Sequence, residues 1–247
     1  MVFVDIHSHV VPSGDDGAQS IAEGLALCRE ASLRGTGVLF ATPHVWPREG
    51  LSAEREAAAR AAYTRMKREA VAYGFDLRLG FELTPSWWLL EHDPQRYRLG
   101  DLPFVLMELP FSGSLELAQR LAEHIAAAGL TPIIAHPERA DAVLDDPDRV
   151  NAFAGRWPLQ VNASSLLGRH GSSCERLAWR LVEESLACLV ASDGHRPTRP
   201  AALDEAYDAV RQRVGEDRAL PLFDGSALGP GLAAGDGLDV AQRREAV

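Results

Sequence analysis

The side chains able to bind metal in this chain stand at the ends of short apolar runs. His7 and His9 close Val2-Phe3-Val4-Asp5-Ile6, with Asp15 and Asp16 just downstream. His44 ends the run from Gly37, Glu82 follows Leu77 to Phe81, and Glu108 follows Phe104 to Met107. His136 follows Pro132 to Ala135, and Asp193 with His195 end the run from Cys188. An i, i+2 pair leaving a strand puts both side chains on one face, so His7 and His9 can reach one cation. Asp193 and His195 repeat that geometry with mixed donors, a combination that suits Mn, Fe or Zn. Carboxylates as close to buried surface as Glu82 and Glu108 are costly unless a cation or a hydrogen-bond network compensates them. The set points to hydrolysis assisted by several divalent ions, which bring the pKa of water toward neutrality.

Something must bring these run ends together. Apolar, β-branched runs alternate with segments of helical period, the pattern of βα units. Strands are predicted near 2–6, 37–41, 76–81, 104–108, 131–135, 158–162 and 188–192. Helices are predicted from the capping box Ser20-Ile21-Ala22-Glu23 to about Leu33, from Ser52 to Tyr73, and over 115–128, 174–187 and 200–214. Parallel strands closed into a barrel gather all their C-terminal ends at one mouth. A doubly wound open sheet, the alternative, gathers its site at one switch point. Ligands on nearly every strand end favour the barrel.

A chain of 247 residues, 46% hydrophobic and 24% charged, fits one soluble domain with a substantial core. The formal charge of −10 argues against a nucleic-acid partner but not against an anionic substrate, since bound cations reverse the field inside a cleft. Three separated cysteines, Cys28, Cys174 and Cys188, suggest a reducing, cytoplasmic setting. No signal peptide or membrane insertion is expected. His92, His124 and His170 are expected on the surface. The barrel domain is expected over 1–215, with 216–247 a C-terminal extension whose Gly/Ala/Asp-rich end is mobile.

Together, Asp5-Ile6-His7-Ser8-His9, Asp15-Asp16-Gly17, Ala41-Thr42-Pro43-His44, Gly80-Phe81-Glu82, Glu108, Ala135-His136-Pro137-Glu138-Arg139 and Ser192-Asp193-Gly194-His195 resemble the PHP (polymerase and histidinol phosphatase) superfamily. Within it the chain is similar to the CpsB/YwqE-type bacterial tyrosine-protein phosphatases of capsule and exopolysaccharide regulation. Gln160 to Gly168 and the Arg199-Pro200 ending carry that closer likeness. The resemblance implies a distorted (β/α)7 TIM-like barrel with three divalent metal ions, Mn foremost. His7, His9, Glu82 and Asp193 would hold the first. Glu82 would bridge to a second on Glu108 and His136, and Asp16, His44 and His195 would hold the third. Two departures stand out: Gly194, often Ala in that branch, which should add backbone freedom, and Arg196, where a smaller polar residue is expected.

Four ligand carboxylates against three divalent ions leave a site about two charges positive, suited to a phosphomonoester dianion. Arg139 and Arg199 are candidate phosphate clamps, guanidinium matching phosphate oxygens bidentately. A salt bridge at the rim is the competing role for each. No cysteine precedes a phosphate-cradling loop ending in arginine, so a thiolate nucleophile is not expected. The leading function is hydrolysis of protein phosphotyrosine by a metal-bound hydroxide, with the tyrosine-rich tail of a bacterial tyrosine kinase as substrate. A small-molecule phosphomonoesterase of the histidinol-phosphatase kind and a non-catalytic scaffold are the alternatives, and a homo-oligomer is left open.

Overall fold

The computed structural model describes residues 1–46, 51–72 and 74–229. The apolar runs form parallel strands at the seven expected positions: β1 (Phe3–Ser8), β2 (Thr36–Ala41) continued by β3 (His44–Val45), β4 (Asp76–Leu79) continued by β5 (Glu82–Leu83), β6 (Phe104–Glu108), β7 (Thr131–Ala135), β8 (Leu159–Asn162) and β9 (Ala187–Ala191). Two positions are therefore interrupted. At the first break Pro43 has no N–H to give the ladder. At the second, a Cβ on Gly80 would stand 2.5 Å from Leu99 Cδ2. The bare glycine lets Leu99 enter the barrel interior, and the strand resumes at Glu82.

The ladder runs β1-β2-β4 and β3-β5-β6-β7-β8-β9. The cylinder closes where Ser8 bridges Gly194, with Asp193 N donating to His7 O at 2.9 Å and His9 N to Gly194 O at 2.7 Å. A seam remains between β4 and β6. There Gly100 N donates to Leu79 O at 2.7 Å in place of a neighbouring strand. Alternate strand positions (Val4, Ile6, Phe40, Leu106, Ile133, Leu189) fill the interior, while the opposite positions pack against helices.

The outer layer comprises α1 (Ile21–Leu33), α2 (Ala53–Val71), α3 (Glu116–Ala127), α4 (Asp141–Asp145), α5 (Ala163–Leu166), α6 (Ser172–Glu183), α7 (Asp204–Val214) and α8 (Glu216–Phe223). The capping box forms in part: Ser20 Oγ accepts from Glu23 N at 3.2 Å, while the Glu23 carboxylate accepts from Gln19 N at 2.9 Å, one residue before the cap. Tyr73, the expected end of α2, lies outside the described residues. The stretch from 216 begins as α8, whose buried Phe223 packs 6.1 Å from Phe3 and 5.3 Å from Tyr207 between ring centroids. Truncating it to alanine should cost about 3–5 kcal/mol. The expected mobile end, 230–247, lies outside the described residues. Among the described residues no helix is long and apolar enough to cross a membrane.

Candidate metal centre

All nine residues singled out as ligands meet at the barrel mouth. Glu82 is the hub. Its Oε2 stands 3.2 Å from His7 Nε2, 3.2 Å from His9 Nε2 and 3.1 Å from His44 Nδ1, and its Oε1 is 2.9 Å from His136 Nε2. Asp193 Oδ1 lies 3.4 Å from His7 Nε2 and 3.5 Å from His9 Nε2. Asp16 Oδ1 lies 3.6 Å from His44 Nε2 and 3.5 Å from His195 Nε2. Four groups of donors emerge: His9 with Asp16, His44 and His195; His7 with Glu82 and His136; His7 with His9 and Asp193; and His44 with Glu82 and Glu108. His9 thus also joins the Asp16 group, and Glu82 is common to the group that holds His136 and the group that holds Glu108.

The donor set fits divalent ions on its own terms. Glu82 Oε2, Glu108 Oε2 and His44 Nδ1 are buried without a hydrogen-bond partner, although nitrogen and oxygen donors surround them. Two donors sharing an ion at about 2.0–2.2 Å stand roughly 3–3.5 Å apart, the spacing found around Glu82. The charges agree. Burial raises Glu82, but His7 and His44 more than offset it and hold the carboxyl well below its usual range. Glu108 is pushed up to about 8 by burial and then by the Glu82 charge, a repulsion that a cation between them would relieve. Burial pushes His44 down to about 4, toward the neutral form that ligates metal. Burial also opposes charge on His9, yet Asp15 and Glu82 raise it to about 10.

A second layer orients the imidazoles. His7 Nδ1 meets Gln160 Oε1 at 3.0 Å, His9 Nδ1 meets Asp15 Oδ2 at 3.3 Å, and His195 Nδ1 meets the Asp193 carbonyl at 2.8 Å, so each Nε2 faces the centre. Asp15 Oδ2 also accepts from His44 N at 3.2 Å. Thr84 Oγ1 donates to Glu108 Oε1, and Asn162 Nδ2 donates to Asp193 Oδ2 at 2.7 Å. Asp15, Gln160 and Asn162 stood within motifs named from the sequence, but neither they nor Thr84 had been given this orienting role. Gln160 and Asn162 carried a usable signal, being polar at alternate positions of an apolar strand; Asp15 and Thr84 had none beyond adjacency to a ligand.

Backbone strain marks the same place. His136 (φ 33°) and Asp193 (φ 52°) are two of the three non-glycine residues at positive φ among those described. Gly194 is needed for close approach, not for freedom: a Cβ would stand 2.5 Å from Ala201 N. Arg196 donates through Nε to the Asp16 carbonyl at 3.1 Å, tying the Asp16 loop to the turn after β9.

Arg139 Nη1 donates to Asp193 Oδ2 at 2.8 Å, and Arg199 Nη2 contacts the same oxygen. Asp193 therefore gives one oxygen to the cluster and the other to the rim. Phe111, 48% exposed, lies nearly parallel to the His136 ring at 6.2 Å, with the Arg139 guanidinium 4.9 Å from its centroid. His170 is not a remote surface residue. Ser165 Oγ lies 3.0 Å from its Nδ1, and burial together with Arg139 and Arg199 pushes it down to about 4. The cysteines stand apart from the donor groups, and burial pushes the Cys28 thiol up to about 12.

The sequence profile of the family described as "Capsular polysaccharide synthesis, CpsB/CapC" matches residues 3–227. This chain belongs to that family. Among its relatives, tyrosine-protein phosphatase YwqE of Bacillus subtilis is 29% identical over 232 residues, covering 91% of this chain and 90% of the relative. Tyrosine-protein phosphatase CpsB of Streptococcus pneumoniae is 28% identical over 231 residues, covering 89% and 94%. A crystal structure from work on YwqE and CpsB, described there as unique metal-dependent tyrosine phosphatases, matches with a TM-score of 0.81 at 26% identity, covering 94% of each chain. A D-hydantoinase from Thermus sp., at TM-score 0.57 and 12% identity over 96% of this chain and 73% of its own, shares only the fold. The CpsB/CapC chain thus has an α/β barrel of the kind its motifs predicted.

Proposed function

We propose that this protein is a metal-dependent phosphatase of protein phosphotyrosine, serving capsule or exopolysaccharide synthesis. The observation that carries the reading is the Glu82 hub, one buried carboxylate ringed by imidazoles in a chain of the CpsB/CapC family. Its ligands would be His7, His9, Asp16, His44, Glu82, Glu108, His136, Asp193 and His195, which would hold three ions; the mixed nitrogen and oxygen donors suit Mn, Fe or Zn, and the family resemblance puts Mn first. Divalent ions, when bound, supply an activated water and neutralise phosphoryl oxygens.

The chain's own residues do the rest. Gln160, Asp15 and Asn162 lock the donors, so no reorganisation is needed at the moment of reaction. Arg139 and Arg199 are part-exposed beside Asp193 and turn their remaining donors to the phosphoryl group. Phe111 offers an aromatic face beside His136 on which the tyrosine ring stacks. A phenoxide leaves more readily than an alkoxide, so an aryl ester gains most from this site. The substrate is the tyrosine-rich tail of a bacterial tyrosine kinase, met in the cytoplasm.

The test compares phosphotyrosine peptides, phosphoserine peptides and histidinol phosphate on protein of defined metal content. Phosphotyrosine peptides should have the highest kcat/KM. If histidinol phosphate wins by about tenfold, or 1.4 kcal/mol of transition-state binding, the protein is a small-molecule phosphomonoesterase instead.

A further inference from the structure

Away from the mouth, the seam between β4 and β6 opens into a cavity of about 710 Å³. Its lining shares no residue with the donor groups of the metal centre. The seam explains the space: β4 ends the three-stranded sheet, and its free edge is met by the segment around Gly100. Five cations line it, Arg60, Lys67, Arg78, Arg96 and Arg98, against the carboxylates Asp76 and Asp101. In a chain of net charge −10 this is a local reversal of sign.

The existing pairings leave charge over. Asp76 pairs with Arg78 at 2.8 Å, and Glu56 is shared by Arg60 and Arg96. Five cations less Asp76, Asp101 and Glu56 leave two positive charges. Lys67, the single lysine of the chain, meets only the Tyr63 hydroxyl, at 3.1 Å, and that ring among the described residues. Arg98 has no carboxylate partner among the described residues, and its Nε is buried without an acceptor. A buried guanidinium donor left unsatisfied is costly, so an acceptor from outside the chain would be favoured there.

We propose that the seam cavity binds the phosphate group of an organic phosphate monoester. Such a group carries close to two negative charges near neutral pH, matching the surplus, and guanidinium forks fit its oxygens. The volume is that of a small-molecule pocket, larger than a bare phosphate needs. Two sources share this chemistry: a second phosphorylated residue on a polypeptide already engaged at the mouth, or a free phosphorylated metabolite.

The test is calorimetric titration of the metal-loaded full-length protein with benzylphosphonate, which cannot be hydrolysed. Two sites are expected. Arg139→Ala should weaken one, and Lys67→Ala with Arg98→Ala should weaken the other by tenfold or more. Lys67 is exposed, so Lys67→Ala alone should fold normally, hydrolyse a singly phosphorylated peptide as before and still weaken the second site several-fold. If every site seen in the unaltered protein is indifferent to the Lys67 and Arg98 variants, the proposal is overturned, whatever the number of sites. Competition for the second site then separates the sources: a doubly phosphorylated peptide outcompetes a sugar phosphate if the ligand is polypeptide, and the reverse holds for a metabolite. Because the readout is binding, it stands whether or not the mouth proves to be a phosphotyrosine phosphatase.

Discussion

The donor cluster and the arginine–aromatic rim share one barrel mouth but are built on opposite terms. In the cluster, His7, His9 and Glu82 are fully buried at strand ends, and neighbours such as Gln160 and Asp15 hold both imidazoles. At the rim, Arg139, Arg199 and Phe111 stand on turns beyond the strands and reach solvent. Rigid elements preorganise ion binding, while side chains with freedom to move select what is brought to the ions. Loss in the cluster should strike every substrate alike; loss at the rim should strike binding and choice.

The largest effect is metal removal, which should abolish turnover, with Mn²⁺ or another divalent ion restoring it. Full activity in a chelated, demetallated sample would eliminate the metal reading altogether. His136→Ala and Asp193→Asn come next, each losing at least about two orders of magnitude in kcat, the scale of one electrostatic stabiliser. A loss confined to KM for either variant would erase the distinction between cluster and rim.

Arg139→Ala or Arg199→Ala should raise KM by about tenfold, or 1.4 kcal/mol, with less change in kcat. Each also releases Asp193, so circular dichroism and metal content must be unchanged for the rim role to stand. Phe111→Ala sharpens the contrast further. It should reduce kcat/KM several-fold for phosphotyrosine peptides, about 0.5–1.5 kcal/mol of ring pairing, and leave an alkyl phosphate untouched. Equal losses on both would assign Phe111 to packing. The smallest effects belong to Cys28→Ser, Cys174→Ser and Cys188→Ser, which should stay active. Only Cys28→Ser should lower stability noticeably, by about 1–3 kcal/mol for a buried hydroxyl. A folded but inactive serine variant would return a thiol to the chemistry.

Strand positions and eight of the nine donor residues were legible because both are local patterns, a short continuous apolar run and a ligand at its end; Asp16 follows no such run and was singled out only by the family resemblance. The strand breaks were legible only in part, since Pro43 announces one, whereas the break at Gly80 depends on Leu99 arriving from elsewhere in the chain. Helix α8 was missed because Glu216–Phe223 carries a proline at Pro221 and is held by packing on Phe3 and Tyr207. His170 was misjudged for the same kind of reason: nothing near it in sequence reveals Arg139 or Arg199.

Residue types and their spacing were enough to show which side chains could bind metal and that parallel strands would carry them to one mouth, because strand direction and side-chain alternation are properties of short segments. Folding in three dimensions makes Glu82 the hub, divides the oxygens of Asp193 between cluster and rim, and sets Ala201 against Gly194. The first two are distances between groups far apart in the chain, set by barrel closure, and the third is set by how the turn after β9 folds back. No local pattern encodes them.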